Sequence, residues 1–173
     1  MAGVNADTRS EAASIAGSDW QSLYQSEGPA LMRYVQRLVG PTEAPDLTHE
    51  CFIRAIRADR QPTRREEIRP WLYRIITNLA LDALRRRRRW LFVPFDRARG
   101  TAAPATTESE IVRAALSAIA PDQAAALVLR LQERLSRAQI AEVMEISESA
   151  VKGRLVRGRL NFVAAYRRLG GMR

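Results

Sequence analysis

A single cysteine, a single histidine and a single lysine occur among the 173 residues, and aromatic residues make up only 6%. Cys51 alone cannot build a disulfide framework, so a compartment that keeps thiols reduced, the cytoplasm, is expected. One histidine beside one cysteine leaves no conventional zinc site. Eighteen consecutive apolar residues occur nowhere, so membrane insertion is not expected. Asp7, Arg9 and Glu11 interrupt the Ala/Ser-rich beginning, which therefore lacks the apolar centre of a signal peptide. There is no glycine-rich phosphate loop and no plausible triad, and His49 is isolated on a helical pattern. The expectation is a chain that is not an enzyme, with no catalytic residue, no cofactor and no metal.

What is abundant is arginine, 27 of the 28 cations. A GC-rich coding sequence or selection for guanidinium chemistry would each produce that bias, but the placement is more telling. Residues 1–50 carry 3 Arg against 7 acids, residues 51–107 carry 14 against 5, and residues 108–173 carry 11 cations against 7 acids. Two basic regions and one acidic region suggest two polyanion contacts and one contact to a basic partner, where ordinary solvated helix faces are the plainer reading.

Strand signals are nearly absent, and 46% hydrophobic residues suffice for a core. Residues 1–17 are small and polar and read as a flexible tail. Asp19 can cap a first helix whose Leu31, Tyr34, Val35, Leu38 and Val39 share a face, and Gly40-Pro41 stops it. A second helix is expected over 46–57, with Leu47, Cys51, Phe52 and Ala55 facing inward. The stretch 59–69 is polar, broken by Pro62, and reads as a loop; Pro70 then suits the first turn of a third helix. Leu72, Ile75, Ile76, Leu79, Ala80 and Ala83 form that helix's apolar stripe. It ends in arginines 85–89, which sweep the whole circumference at 100° per residue and so must be solvated or covered by an anion. Two prolines, a glycine and no apolar period mark a linker. The expected fold is all-α: two small helical domains, 18–91 and 108–173, joined by a flexible linker at 92–107.

In the second domain Ile111, Ala115 and Leu116 open the pattern, and Pro121 begins a helix with Ala125, Leu127, Val128 and Leu131 toward the core. Ser136 and Gln139 are spaced as a capping box and start a short helix carrying Ile140, Ala141 and Met144. Glu145-Ile146-Ser147 make a turn, and Ser147 caps the next helix, from Glu148 to about Ala164. This is a helix-turn-helix pattern. Val151, Leu155, Gly158 and Phe162 form the buried stripe of its second helix. The opposite face shows Ser149, Lys152, Gly153, Val156 and Arg157, flanked by Arg154 and Arg159. Short side chains and cations suit entry into a major groove, where an αα-hairpin with a solvated basic face is the plainer alternative.

Three stretches together resemble a sigma factor of the small, two-domain extracytoplasmic-function group. EAPDLTHECFIRAIR (43–57) resembles the segment that docks on the clamp helices of the largest subunit of core RNA polymerase. RPWLYRIITNLALDALRRRRR (69–89) resembles the segment that opens and reads the promoter's minus-ten element, and LSRAQIAEVMEISESAVKGRLVRGRL (135–160) the domain that reads the minus-thirty-five element. The resemblance implies a non-catalytic promoter-specificity subunit whose partners are core polymerase, promoter DNA both double-stranded and melted, and an anti-sigma factor.

Site residues follow from it position by position. Asp46, Leu47, Glu50 and Phe52 match the polymerase-docking segment; Asp46 and Glu50, one turn apart, suit a basic partner, or are a helix-start acid and a solvated Glu. Arg64, Arg65, Arg69, Trp71, Arg74, Asn78, Arg85 and Arg86 match the minus-ten segment, and the 59–69 loop with Asn78 below it matches where the family captures a flipped base, at a cost of a few kcal/mol in stacking. Trp71 either stacks on a base or fills the core, and arginines 85–89 would grip phosphates. Ser149, Lys152, Gly153, Arg154, Val156 and Arg157 match the minus-thirty-five reader. Some residues depart from the family pattern. Pro45 replaces an acidic or polar residue and His49 a common Gln, so the docking helix is expected to start late. Glu145 stands at a turn position that is often Gly. Gly153 and Gly158 lie inside the reading helix, each costing about 1 kcal/mol relative to Ala. Arg97 and Arg99 outweigh Asp96 in the linker. Two other readings remain: a conventional helix-turn-helix regulator that binds duplex DNA without polymerase, and a sequence-tolerant RNA-binding protein resting on the arginine run.

Overall fold

The computed structural model describes residues 20–91, with side chains as far as Arg88, and residues 107–170. The tail expected at 1–17, the Asp19 cap and, save for Thr107, the linker expected at 92–107 lie outside the described residues. Seven helices and no strand occur among those described.

Helix α1 (Trp20–Val39) buries the expected face of Leu31, Tyr34, Val35, Leu38 and Val39. It ends at Gly40, whose φ of +97° is open to a residue without Cβ. Helix α2 is Ala44–Arg57, beginning earlier than expected. Pro45 does not delay it, because in the first turn its missing N–H is not needed, and Asp46 beside it favours the positive end of the helix.

Helix α3 is Arg65–Leu91, so half of the expected 59–69 loop is helical and Pro70 lies inside the helix instead of opening it. Glu66 and Glu67 favour the first turn, Ile68 packs against the core, and Pro70 removes only the bond its N–H would have given to Glu66.

These three helices enclose Leu31, Tyr34, Val35, Cys51, Phe52, Ala55, Leu72, Ile76 and Ala80. Burial of each large side chain is worth about 1.5–3 kcal/mol. The buried Tyr34 hydroxyl pairs with Thr77 Oγ1 at 2.9 Å, and the Tyr34 and Tyr73 rings meet edge to face. Burial pushes the Cys51 thiol up to about 12, against a smaller opposite pull from Arg54.

The second unit comprises α4 (Glu108–Ala118), α5 (Pro121–Leu131), α6 (Arg137–Met144) and α7 (Glu148–Arg168). Thr107 and Glu110 form a capping box for α4, and Ser136 and Gln139 the expected one for α6. Glu145 adopts the left-handed conformation at φ 53° and ψ 47°, and Ser147 accepts from Ala150 N to start α7. Val143, in addition to Ile140 and Met144, fills the space under the turn. Gly158 is required by close packing: a Cβ there would stand 3.2 Å from Gln123 Cβ and 3.3 Å from Leu127 Cδ1.

Residues 124–129 of α5 are all buried, which happens only when a helix is covered on every side. Helices α4, α6 and α7 cover part of it; α1 and α3 of the first unit cover the rest. Helix α3 also packs on α6 and α1 on α4, so the two units share an interface. One expectation fails at the edge of this core: Leu131, placed toward the interior by its spacing, is 75% exposed in the last turn of α5.

Candidate nucleic-acid interface

Helix α7 carries the first candidate surface. Ser149, Lys152, Val156 and Arg157 are exposed on one side, opposite buried Val151, Gly158 and Ala165. Val156, 54% exposed, is an apolar side chain left in water amid cations, as a thymine-methyl contact would need. Two expected members are modified by local packing. Arg154 is largely buried and pairs with Asp122 of α5 through Nε at 3.0 Å, so it braces α7 on its own unit. Gly153 leaves space that the Arg157 guanidinium occupies, since a Cβ there would lie 3.3 Å from Arg157 Nη2.

Helix α3 and the loop before it carry the second surface. Arg64 and Arg65 are exposed at its start, Arg64 pairing with Glu66 at 2.8 Å. Trp71 packs partly against the core, and it also lines a pocket of about 270 Å³ with Arg60, Gln61, Pro62, Glu67, Pro70, Arg74 and Glu142. Gln61 was not singled out by sequence reasoning. Its Nε2 donates to the carbonyls of Ala55 and Ile56, both at 3.1 Å, which leaves its buried Oε1 without a partner. An acceptor in that state can receive an N–H from a base. Its sequence signal was its place in the 59–69 loop, which the resemblance makes the region of base capture. Asn78 is exposed further along α3, and Arg69 and Arg74 bear carboxylates from the second unit.

The arginine run is divided. Arg86 is exposed and Arg85 pairs with Asp82 one turn back at 3.1 Å, a weak surface contact that a phosphate can displace. Arg87 and Arg88, expected as phosphate grips, are engaged within the chain. Arg87 pairs with Glu43 and donates to Val39 O, and Arg88 donates to Ile119 O at 2.7 Å. The side chain of Arg89 lies outside the described residues.

The acidic face of α2 is the third surface. Asp46 is exposed, while Glu50 accepts from Arg54 Nε at 2.8 Å within the same helix. Leu47 is half-buried. Phe52 is corrected to a core residue: it is 4% exposed and meets Tyr24 edge to face at 4.8 Å, so a partner cannot reach it. Among the described residues no group of His, Cys, Asp and Glu is clustered to hold a metal, and no helix is long and apolar enough to cross a membrane.

A basic three-helix unit followed by a helix-turn-helix unit is the layout of a two-region transcription initiation factor. The Sigma-70 region 2 model matches residues 23–90 and the Sigma-70, region 4 model matches residues 109–161. Together they span most of the chain and all three stretches that carried the resemblance, and the chain belongs to the sigma-70 family. Among its relatives is the ECF RNA polymerase sigma factor SigE of Mycolicibacterium smegmatis, 35% identical over an alignment of 153 residues that covers 81% of this chain. The chain spans 58% of the length of that relative. The fold matches the sigma factor RpoE of Bartonella quintana, solved in complex with the anti-sigma factor NepR, with a TM-score of 0.68 and 20% identity over 86% of this chain and 97% of that one.

Proposed function

We propose that the chain is a promoter-specificity subunit that binds core RNA polymerase, reads a minus-thirty-five element as duplex and a minus-ten element as melted strand, and has no catalytic activity of its own. The observation that carries this reading is the pair of different nucleic-acid surfaces on one chain. Helix α7 offers an exposed basic face suited to a groove, and α3 offers a pocket with Trp71, Arg74 and the unpaired Gln61 acceptor, suited to a base outside a duplex.

Ser149, Lys152, Gly153, Val156 and Arg157 face the upstream duplex, with Arg154 as a brace. Arg64, Arg65, Arg69, Trp71, Arg74, Asn78, Arg85 and Arg86 serve the melted strand. Asp46 and Glu50 form the polymerase contact, with Leu47 at its edge. An anti-sigma factor is the regulator this reading implies, as in the complex of the RpoE neighbour.

Run-off transcription with purified core polymerase and a promoter library tests the proposal, and absence of any promoter-dependent transcript rejects it. Asp46→Arg reverses the sign of an exposed side chain. Loss of co-purification with polymerase, with an unchanged helical circular-dichroism spectrum, is expected; retained co-purification removes the docking assignment. Tight specific binding to a palindromic duplex in the absence of polymerase would favour a conventional helix-turn-helix regulator.

A further inference from the structure

One side chain ties the loop before α3 to the helix that precedes it. Gln61 donates from Nε2 to the carbonyls of Ala55 and Ile56, each at 3.1 Å. Both carbonyls lie in the last turn of α2, where a helix runs short of its own donors. Turning the amide over would aim Oε1 at two carbonyl oxygens, so this cap fixes which end of the amide is left over. That end is Oε1, the one buried side-chain nitrogen or oxygen without a hydrogen-bond partner among the described residues. A buried acceptor left unmade is costly, and an amide with both donors committed can only accept.

Gln61 lines the pocket of about 270 Å³ together with Trp71, Arg60 and Arg74. Trp71 offers a ring for stacking and the arginines offer donors, and neither chooses: every base has a π-face and every base has an acceptor at its edge. Glu67 and Glu142 on the same wall also accept, but both are exposed and served by water, whereas Oε1 is shielded and held. Oε1 is therefore the group able to tell bases apart. Adenine, cytosine and guanine each carry an exocyclic amino group that turns an N–H outward from the ring. Thymine has none, and its single N–H, at N3, stands between two carbonyl oxygens that would oppose Oε1.

We propose that Gln61 is the specificity-determining residue of this pocket: its fixed Oε1 accepts a hydrogen bond from the exocyclic amino group of the captured base, so the site takes adenine, cytosine or guanine and rejects thymine. This rests on the assignment of the Trp71 pocket to a base of the melted minus-ten strand. The role differs from that of the arginines around it, which add affinity without choosing. It also gives the cap on α2 a second purpose. An amide free to turn could present Nε2 to a carbonyl oxygen and would receive thymine as readily as the others; with Nε2 held by Ala55 and Ile56, that option is closed.

The experiment uses holoenzyme assembled from the full chain and core polymerase, on fork templates in which each position of the unpaired minus-ten strand carries each of the four bases or uracil in turn. Uracil is cytosine with the amino group exchanged for oxygen and a proton placed on N3. At one position the wild type should initiate at least about fivefold less from uracil and thymine than from cytosine, the low end of what a base-edge hydrogen bond discriminates. Gln61→Met, similar in length, removes the amide and should bring that ratio below about twofold at that position alone. Gln61→Glu keeps an acceptor while losing both donors, and should still disfavour uracil. No position at which the wild type disfavours uracil, an unchanged ratio in Gln61→Met, or a ratio lost equally in both variants overturns the proposal. So does initiation lowered by one factor on every template, which would make Gln61 a cap and nothing more. Trp71→Ala, with an unchanged helical circular-dichroism spectrum, separates the two levels. Weaker initiation there, with the Gln61→Met ratio unchanged, overturns the selector and leaves the pocket assignment standing; wild-type initiation on every template overturns both.

Discussion

Along α7, Lys152, Arg157 and Arg159 stand exposed with no ion pair to a described residue, whereas along α3 the cations Arg69, Arg74, Arg87 and Arg88 each meet a carboxylate or a carbonyl oxygen. The two helices carry charge of the same sign and differ in how much of it is engaged, since among the described residues of α7 only Arg154 is paired, with Asp122, while on α3 Arg65 and Arg86 stand exposed beside the engaged arginines. A groove in duplex DNA is present before the protein arrives, so a rigid, uncovered helix can meet it directly. A melted strand exists only after initiation has begun, and a surface proposed to receive it would be open to every other polyanion until then. On the proposed reading, engaging more of the α3 cations than of the α7 ones fits that difference in when the two targets would appear.

The sharpest break of the comparison would come from the core that joins the units. Leu129 of α5 is completely buried in the all-round packing to which both units contribute. Leu129→Ala should destabilise the chain by about 2–5 kcal/mol through lost transfer energy and a residual cavity. With a shared core, scanning calorimetry should show one transition moved downward as a whole. Two transitions, only one of them displaced, would mean that the units fold independently and that the contact between α3 and α6 adds little.

A smaller effect separates the readers. Arg157→Ala should weaken use of the upstream element by about 1–2 kcal/mol, roughly tenfold, while Arg85→Ala should act on the downstream element and leave the upstream one nearly unchanged. Transcription from templates altered at one element at a time measures both. Equal losses at both elements for either variant would remove the distinction between α7 and α3. Within the first unit, Tyr34→Phe leaves the buried Thr77 hydroxyl without its 2.9 Å partner and should cost about 1–2 kcal/mol in urea unfolding. A neutral result would show that the Thr77 hydroxyl can bond back to its own helix.

The helices with one apolar face were legible, because the spacing that sets burial is local. The stripe of α1, the capping box of α6 and the Gly158 crossing were all visible as short patterns. What failed depended on contacts distant in sequence. The spacing of α2 did place Phe52 inward, and only the resemblance set it on the docking surface; that Tyr24 covers it was not legible in residues 43–57. Leu131 fits the periodicity of α5 and is exposed because the helix runs past the end of the core. The start of α3 was misplaced because Pro70 was read as an opening residue, although a proline one turn further in disturbs only one bond when acids favour the turn before it. Glu133 and Tyr73, 60 positions apart, had no sequence signal at all for their meeting.

The smallest prediction concerns Gly153, where two effects of opposite consequence meet. Alanine in a helix interior is favoured over glycine by about 1 kcal/mol, so Gly153→Ala should stabilise α7. The new Cβ would lie 3.3 Å from Arg157 Nη2 and 3.4 Å from Nη1, which is tight, but both atoms are at the far end of a flexible side chain and can swing aside. A net gain of somewhat less than 1 kcal/mol in urea unfolding is therefore expected. The guanidinium must move for that gain to appear, so base preference at the upstream element should change even though no cation has been added or removed. A stabilised variant with unaltered preference would show that Arg157 reaches DNA from a position that Gly153 does not set. It would also place the reading register of α7 in Lys152 and Val156, the remaining exposed members of that face.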